Sequence, residues 1–465
     1  MIGGVIFICI SLALLLYLAY KGWSVIIVAP LLGLLACFGG ALCMGEAPHL
    51  MAHYTITFMS GAATFIKSYF PIFLLGAIFG KFIEKTGSAD AIADFFVQKI
   101  GSKYAILTVV IICAVLTYGG VSLFVVSFAM YPIAAKLFRE SGINKRILPG
   151  TIALGAFTFT MTALPGSPQV QNAVPMKFLG TTAFAAPVLG IVAAAIMFCF
   201  GYVWLVRRAK ICTKKYGPGY GDWKENLIHI EKEDLPSFGV AIFPIVVCVV
   251  ANVIFSKIIF PNTNGDYLQQ AFEVTLQSVI GTWSLLLALI IAVIVCTLMN
   301  WRRVKDTFLE ILQEGVMGSF LPIFNTASEN GYGTVISSLA AYSLIAGAIT
   351  AISSNPLVVT AISSSVLAGI TGSATGGLTI ALTTMGDKLI ALANARGIPL
   401  EVVHRVACVA CGGLDTLPHN GAVITLLAIT QMRHKDSYKD IGMNTVVFPL
   451  IATAVIIILG SMGVQ

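Results

Sequence analysis

Charge is what this 465-residue chain has least of: Asp, Glu, Lys and Arg make up 11% of it, where an ordinary soluble domain carries roughly 25%. Such a chain cannot cover a water-facing surface, so a soluble enzyme and a disordered tail are both excluded. A disulfide framework is missing too. Of ten cysteines, Cys9, Cys37, Cys43, Cys113, Cys199, Cys248 and Cys296 interrupt apolar runs, where a thiol behaves as a small apolar residue. No phosphate-binding motif appears: Gly76-x-x-x-Gly80-Lys81 has too short a spacing, Phe82 stands where Ser or Thr is needed, and the motif reads as a close-packing helix face. Cys408-x-x-Cys411 has no second Cys or His pair beside it, so it reads as helix packing, and neither metal nor cofactor is expected.

What the chain has is apolar length, with 57% hydrophobic residues. A spanning helix needs about 20 of them in a row. Such runs lie at Ile2 to Tyr20, which has no basic n-region and reads as a retained helix, at Ser24 to Met44, and at Phe58 to Phe82. Ala89 to Ile100 is short and amphipathic and suits the membrane interface. Residues 104–138 are too few for two crossings and break at Tyr118-Gly119-Gly120, the pattern of a re-entrant hairpin. A span over 146–179, broken at Pro165-Gly166-Ser167-Pro168, and another over 184–206 follow. A hydrophilic linker, 207–236, leads to runs at 238–259, 276–299 and 307–339. A second hairpin over 342–392 breaks near Thr371-Gly372-Ser373, and a broken span over 403–429 and a last run at 445–459 complete the chain. The expected fold is an all-α polytopic membrane protein.

The basic residues test that path. With the N-terminus outside, the inside loops hold Lys81, Lys85, Lys99 and Lys103, then Lys136, Arg139, Lys145 and Arg146, the linker bases, Arg302, Arg303 and Lys305, and finally Arg433, Lys435 and Lys439. Outside loops at 46–54, 180–182 and 261–273 contain no Lys or Arg. The net charge of +7 is therefore a positive-inside bias, and nucleic acid is not an expected partner. The loop after the second hairpin, with Lys388, Arg396 and Arg405, is the exception. Both termini are placed outside a bacterial inner membrane.

The two halves read as copies. Phe70-Pro71-Ile72-Phe73 recurs as Leu321-Pro322-Ile323-Phe324, Ala163-Leu164-Pro165-Gly166-Ser167 as Thr416-Leu417-Pro418-His419-Asn420, and Gly119 as Gly372, in one order and at one spacing. Residues 1–206 and 237–465 then each hold about five crossings, an odd number, so the second copy is inverted, an architecture of secondary transporters that bind their substrate where the breaks meet.

Backbone that leaves a helix inside lipid exposes unpaired N–H and C=O groups, which protein or ligand must satisfy. The candidates in the first half are Gly119, Gly120 and Ser122 at the hairpin tip and Ser167, Gln169, Gln171 and Asn172 at the break. In the second they are Gly372, Ser373, Thr375, Thr416 and Asn420. Hydroxyls, amides and half-helix N-termini suit a small carboxylate. Asp415 and His419, four residues apart, are the expected proton carriers, with sodium as the alternative ion. The competing readings of Asp415 are a static partner for Arg405 and a cap on broken backbone, and Lys67 and Glu329 either line the cavity or reach to an interface.

The segments Ala163-Leu164-Pro165-Gly166-Ser167-Pro168-Gln169 and Gly412-Gly413-Leu414-Asp415-Thr416-Leu417-Pro418-His419-Asn420-Gly421, with the length and paired halves, resemble the gluconate permease family of the ion transporter superfamily. The resemblance implies uptake of gluconate, other sugar acids or 3-hydroxybutyrate with protons, without enzymatic chemistry. It also implies a homodimer whose transport domains move like elevators. The hairpin tips here are glycine-rich, unlike the Ser-Asn-Thr tips of sodium-coupled dicarboxylate relatives.

Overall fold

The computed structural model describes residues 2–20, 23–121, 123–217, 235–418 and 420–465; Ser122, His419 and most of the linker lie outside them. Among the described residues the regular structure is helical, as lipid demands of backbone that must satisfy its own hydrogen bonds. The first half contains α1 (Ile2–Tyr20), α2 (Val25–Met44), α3 (Met59–Lys85), the short α4 (Ser88–Ile100), and the pair α5 (Ala105–Tyr118) and α6 (Leu123–Glu140). A helix in three pieces follows, α7 (Leu148–Ala156), α8 (Phe159–Thr162) and α9 (Val170–Leu179), then the long α10 (Pro187–Tyr216). The second half runs α11 (Phe238–Val253), α12 (Leu276–Met299), α13 (Phe308–Ser338), the short α14 (Tyr342–Ile352), and the pair α15 (Pro356–Thr371) and α16 (Ala374–Ala395). The interrupted helix α17 (Leu400–Leu414) and α18 (Gly421–Ile429), a connecting α19 (His434–Gly442) and α20 (Phe448–Ser461) close it. Six continuous helical stretches are long and apolar enough to cross a membrane.

Many large side chains are exposed on one face at helical spacing: Ile27, Leu31, Phe38 and Leu42 on α2, and Ile290, Ile294 and Leu298 on α12. In water such stripes would collapse or aggregate; beside lipid they are the stable outer surface. The centre is the crossing of α3 and α13, with α2 and α16 packed on α13 and α12 on α3. Hairpin α5–α6 packs on α7, and hairpin α15–α16 packs on α17.

Three boundaries differ from the sequence expectation. The stretch 342–392 is not one hairpin, because the chain leaves the helix at Ser353 and restarts with Asn355 as N-cap, its Oδ1 accepting from Leu357 N at 2.9 Å, and Pro356 in the first turn. The linker does not begin at 207: α10 carries Arg207, Arg208, Lys210, Lys214 and Lys215 and ends at Tyr216. Arg405 is no loop residue; it sits inside α17 with 0% exposure.

The basic ends gather. Arg146 before α7 and Arg433 before α19 both reach Asp436, at 2.7 and 3.0 Å, and Arg208 on α10 reaches Asp440 at 2.7 Å. Elsewhere Lys81 and Lys85 of α3 pair with Glu314 of α13.

Candidate functional site

Each hairpin turns on a glycine with positive φ, Gly120 at 89° and Gly372 at 64°, a conformation that side-chain-bearing residues adopt at a cost. Each tip is tied to the neighbouring break. In the first half Gln169 Nε2 donates to Thr117 O at 2.7 Å and Tyr118 OH to Pro165 O at 2.8 Å. A Cβ on Gly120 would lie 3.3 Å from Pro168 Cγ. In the second half Asn420 Nδ2 donates to Gly372 O at 2.7 Å, while its Oδ1 accepts from Val423 N at 2.9 Å and so caps α18.

The first break is wider than its prolines imply. The helix is already interrupted at Phe157-Thr158, and regular structure stops again between Thr162 and Val170. The polar residues there serve the protein's own backbone: Ser167 Oγ donates to Thr160 O at 2.9 Å, and Asn172 Nδ2 donates to Ser167 O and Ala183 O, both at 2.9 Å. Asn172 Oδ1 accepts from Arg405 at 3.2 Å and lies 3.3 Å from His404 Nε2.

Arg405 and His404 were not among the sequence candidates. The buried guanidinium donates to Ala185 O at 2.8 and 3.0 Å and to Ala183 O at 3.3 Å, while His404 Nδ1 pairs with Thr181 Oγ1 at 2.6 Å. Both fasten α17 to the chain beyond the first break. The reading of Asp415 as a partner of Arg405 therefore fails, since these carbonyls and Asn172 take the guanidinium. Asp415 lies just past the end of α17, which stops at Leu414 because Pro418 lacks an N–H and disfavours helix before it; the expected pairing of Asp415 with His419 falls outside the described residues.

The second break is held from another side. Thr416 Oγ1 donates to Thr445 Oγ1 at 2.7 Å, Tyr438 OH to Thr416 O at 3.1 Å, and His434 Nε2 to Pro418 O at 2.8 Å. Ser373 Oγ caps α16 by accepting from Gly376 N at 3.1 Å, and Thr375 O accepts from Thr379 Oγ1 at 2.7 Å. Gly119 is packed so closely that a Cβ would meet Ile245 of α11 at 2.7 Å.

The first broken helix packs against α17, the helix that leads into the second break. Thr162 Cγ2 lies 2.8 Å from a Cβ built on Gly412, and Cys408 Sγ donates to Gln171 O at 3.2 Å. The last piece of each broken helix packs on the other half's hairpin, α9 on α16 and α18 on α6. Four buried oxygens around these junctions have no partner: Thr117 Oγ1, Gln171 Oε1, Asp415 Oδ1 and Glu329 Oε2. Buried polar atoms are nearly always paired, so each of these four exceptions calls for an explanation. A cavity of about 250 Å³ opens between α3, α9, α13 and α16, where Phe65, Tyr69 and Phe178 are interspersed with Ser68, Lys177 and Asn330. Lys177 Nζ donates to Ser68 Oγ there. A second cavity of about 420 Å³, between α5, the first break and α11, is walled by Ile242, Ile245, Val246 and Val249 and offers nothing to an anion.

Interrupted helices and paired hairpins inside an apolar bundle define a multi-pass membrane transporter. Residues 4–462 match the model of the GntP family permeases, and the chain belongs to that family. It is 42% identical to the uncharacterized transporter YxjC of Bacillus subtilis, over 98% of this chain and 99% of that one. An uncharacterized permease of Haemophilus influenzae is 25% identical over 65% of this chain and 62% of its own. The fold is similar to that of the Alcanivorax borkumensis YdaH transporter, with a TM-score of 0.51 at 12% identity, over 89% of this chain and 88% of that one.

Proposed function

We propose that this permease is a proton-coupled symporter of a small hydroxy-carboxylate, such as gluconate, another sugar acid or 3-hydroxybutyrate. The observation that carries the reading is the set of unpaired buried oxygens along these elements, Thr117 Oγ1 before the first tip, Gln171 Oε1 after the first break and Asp415 Oδ1 at the second. Hydroxyls of a sugar acid can donate to those oxygens, and half-helix N-termini with Lys177 nearby favour its carboxylate. The cradle comprises the two tips, at Gly119, Gly120, Ser122, Gly372, Ser373 and Thr375, and the break residues Ser167, Gln169, Asn172, Thr416 and Asn420. Asp415 and His419 carry the coupling proton.

The halves act as inverted repeats. The reciprocal packing of α9 on α16 and of α18 on α6 supports this symmetry, which two copies related by a two-fold axis would produce. The hairpins and broken helices then move as one body against α3 and α13, an elevator motion in a homodimer. The chain sits in the bacterial inner membrane with both termini outside, and the clustering of Arg146, Arg208 and Arg433 at one end supports that sidedness.

The test is a panel of gluconate, 3-hydroxybutyrate, lactate and succinate, scored by thermal stabilisation of purified protein and then by uptake into proteoliposomes. A hydroxy-acid that both stabilises and accumulates supports the reading, provided Asp415→Asn abolishes the accumulation. Stabilisation by succinate alone, or accumulation that follows sodium instead of protons, contradicts it.

A further inference from the structure

Glu329 lies in the C-terminal half of α13, one of the two helices of the central crossing, and is 5% exposed. Its carboxyl group occupies the place where a side chain on Gly376 would go: a Cβ there would collide with Oε2. Gly376 is in the first turn of α16, so the carboxyl presses on the N-terminus of the half-helix that follows the second hairpin tip. That end offers it no hydrogen bond from the two nearest amides, since Gly376 N donates to Ser373 Oγ at 3.1 Å and Gly377 N to Ser373 O at 2.9 Å. Oε2 is buried and without a partner.

Among the described residues no cation pairs with Oε2. The titratable side chains on the elements packed against α13 include Cys9 on α1, Cys37 on α2, His53 before α3, Lys67 and Tyr69 on α3, Tyr342 on α14 and Asp387 on α16, with Tyr332 on α13 itself, and Lys177 on α9 lines the cavity that Asn330 lines. None of them is a hydrogen-bond partner of Oε2. An ionised carboxylate held dry with neither a cation nor a hydrogen bond is costly by several kcal/mol, and an acidic group kept in a membrane core at such cost is kept for use.

Resting on the transport reading above, we propose that Glu329 is a second proton-binding site, placed on the contact between α13 and the hairpin α15–α16. Hydronium gives its proton to Oε2, forming the O–H bond and leaving water, and the neutral acid packs against Gly376. When the hairpin withdraws, the acid is exposed to water on the other side and returns the proton to it. The route in is polar. Asn330, the next residue, donates to Gly61 O at 2.7 Å, accepts from Thr383 Oγ1 at 3.0 Å, and lines the cavity that Lys177 also lines. Ionised Glu329 would hold the hairpin off α13, so an empty carrier without a proton does not cycle.

The experiment combines infrared difference spectra across a pH titration of the purified full chain with proteoliposome assays using labelled gluconate and 3-hydroxybutyrate. The expected result is a protonated-carboxyl C=O band that persists in Asp415→Asn and disappears in Glu329→Gln. The ratio of pH-driven accumulation to counterflow exchange is expected to fall about tenfold in Glu329→Gln. A wild-type band together with wild-type accumulation in Glu329→Gln overturns the proposal. If Glu329→Gln does not fold, Gly376→Ala replaces it: a shifted titration of the band supports the site, and an unshifted one overturns it. Should wild-type protein accumulate neither probe under a pH gradient, the symport reading fails, while the band still decides whether Glu329 binds a proton.

Discussion

Asn420 reaches across the second break to the tip of its hairpin, its Nδ2 donating to Gly372 O at 2.7 Å, and also caps α18. One side chain thus fixes where the hairpin ends and where the helix resumes. Replacing it by Ala removes a cap worth about 1 kcal/mol and a bond worth about 1 kcal/mol. Asn420→Ala is expected to lower the melting temperature in detergent and to slow uptake more than it destabilises. A variant that melts lower but transports at the wild-type rate would reduce Asn420 to a structural cap.

Arg405 makes another kind of contact, from a buried guanidinium to the protein's own oxygens. Its fork donates to Ala183 O, Ala185 O and Asn172 Oδ1 within a fully buried site. Arg405→Met leaves those oxygens unpaired, at about 1–3 kcal/mol for each group orphaned. Arg405→Lys cannot span three acceptors and is expected to be nearly as poor. Thermal melts of the two variants check this, and a Lys variant as stable as wild type would show that charge alone suffices.

At the basic end, burial ranks the ion pairs. Asp440 is 0% exposed and is held by Arg208 at 2.7 Å and Trp204 Nε1 at 3.0 Å. Arg433 is 62% exposed where it meets Asp436. Asp440→Ala is expected to cost about 3 kcal/mol, because it leaves a partly buried guanidinium unpaired, and Arg433→Ala less than about 1 kcal/mol. Equal losses on thermal unfolding would contradict the ranking.

Lys145, in the turn between α6 and α7, is buried with its ammonium 5.5 Å from the centre of the Tyr131 ring. Burial lowers its pKa from 10.5 to about 8. Between those values the unfolded chain holds a proton that the folded one has released, so stability rises with pH across that window from this group. Lys145→Met is expected to flatten the rise and to raise the melting temperature near neutral pH. An unchanged slope between pH 8 and 10.5 in melts of the variant would assign the effect elsewhere.

The breaks were legible because glycine and proline write their effect into the local sequence: Gly120, Gly372, Pro165 and Pro418 each mark a place where the chain leaves the helix. Thr158 carries no such mark, and its interruption of the first broken helix went unread. Arg405 was misplaced for a different reason. A charged residue in an apolar stretch reads as a loop unless its partners are known, and these are carbonyls at Ala183 and Ala185, far off in the chain. Glu329 was noticed as an acid in an apolar span, yet what makes it informative, Gly376 beneath its carboxyl, is a contact between helices that sequence alone does not join.

The central claim is that these junctions form the cradle of a proton-driven carrier. Labelled gluconate and 3-hydroxybutyrate, offered to proteoliposomes under an acid-outside gradient, test it most directly. At least one is expected to rise inside above its outside concentration, the lumen to acidify as it enters, and a protonophore to collapse both. Entry of the same acid to equal concentration with no dependence on the gradient would contradict it.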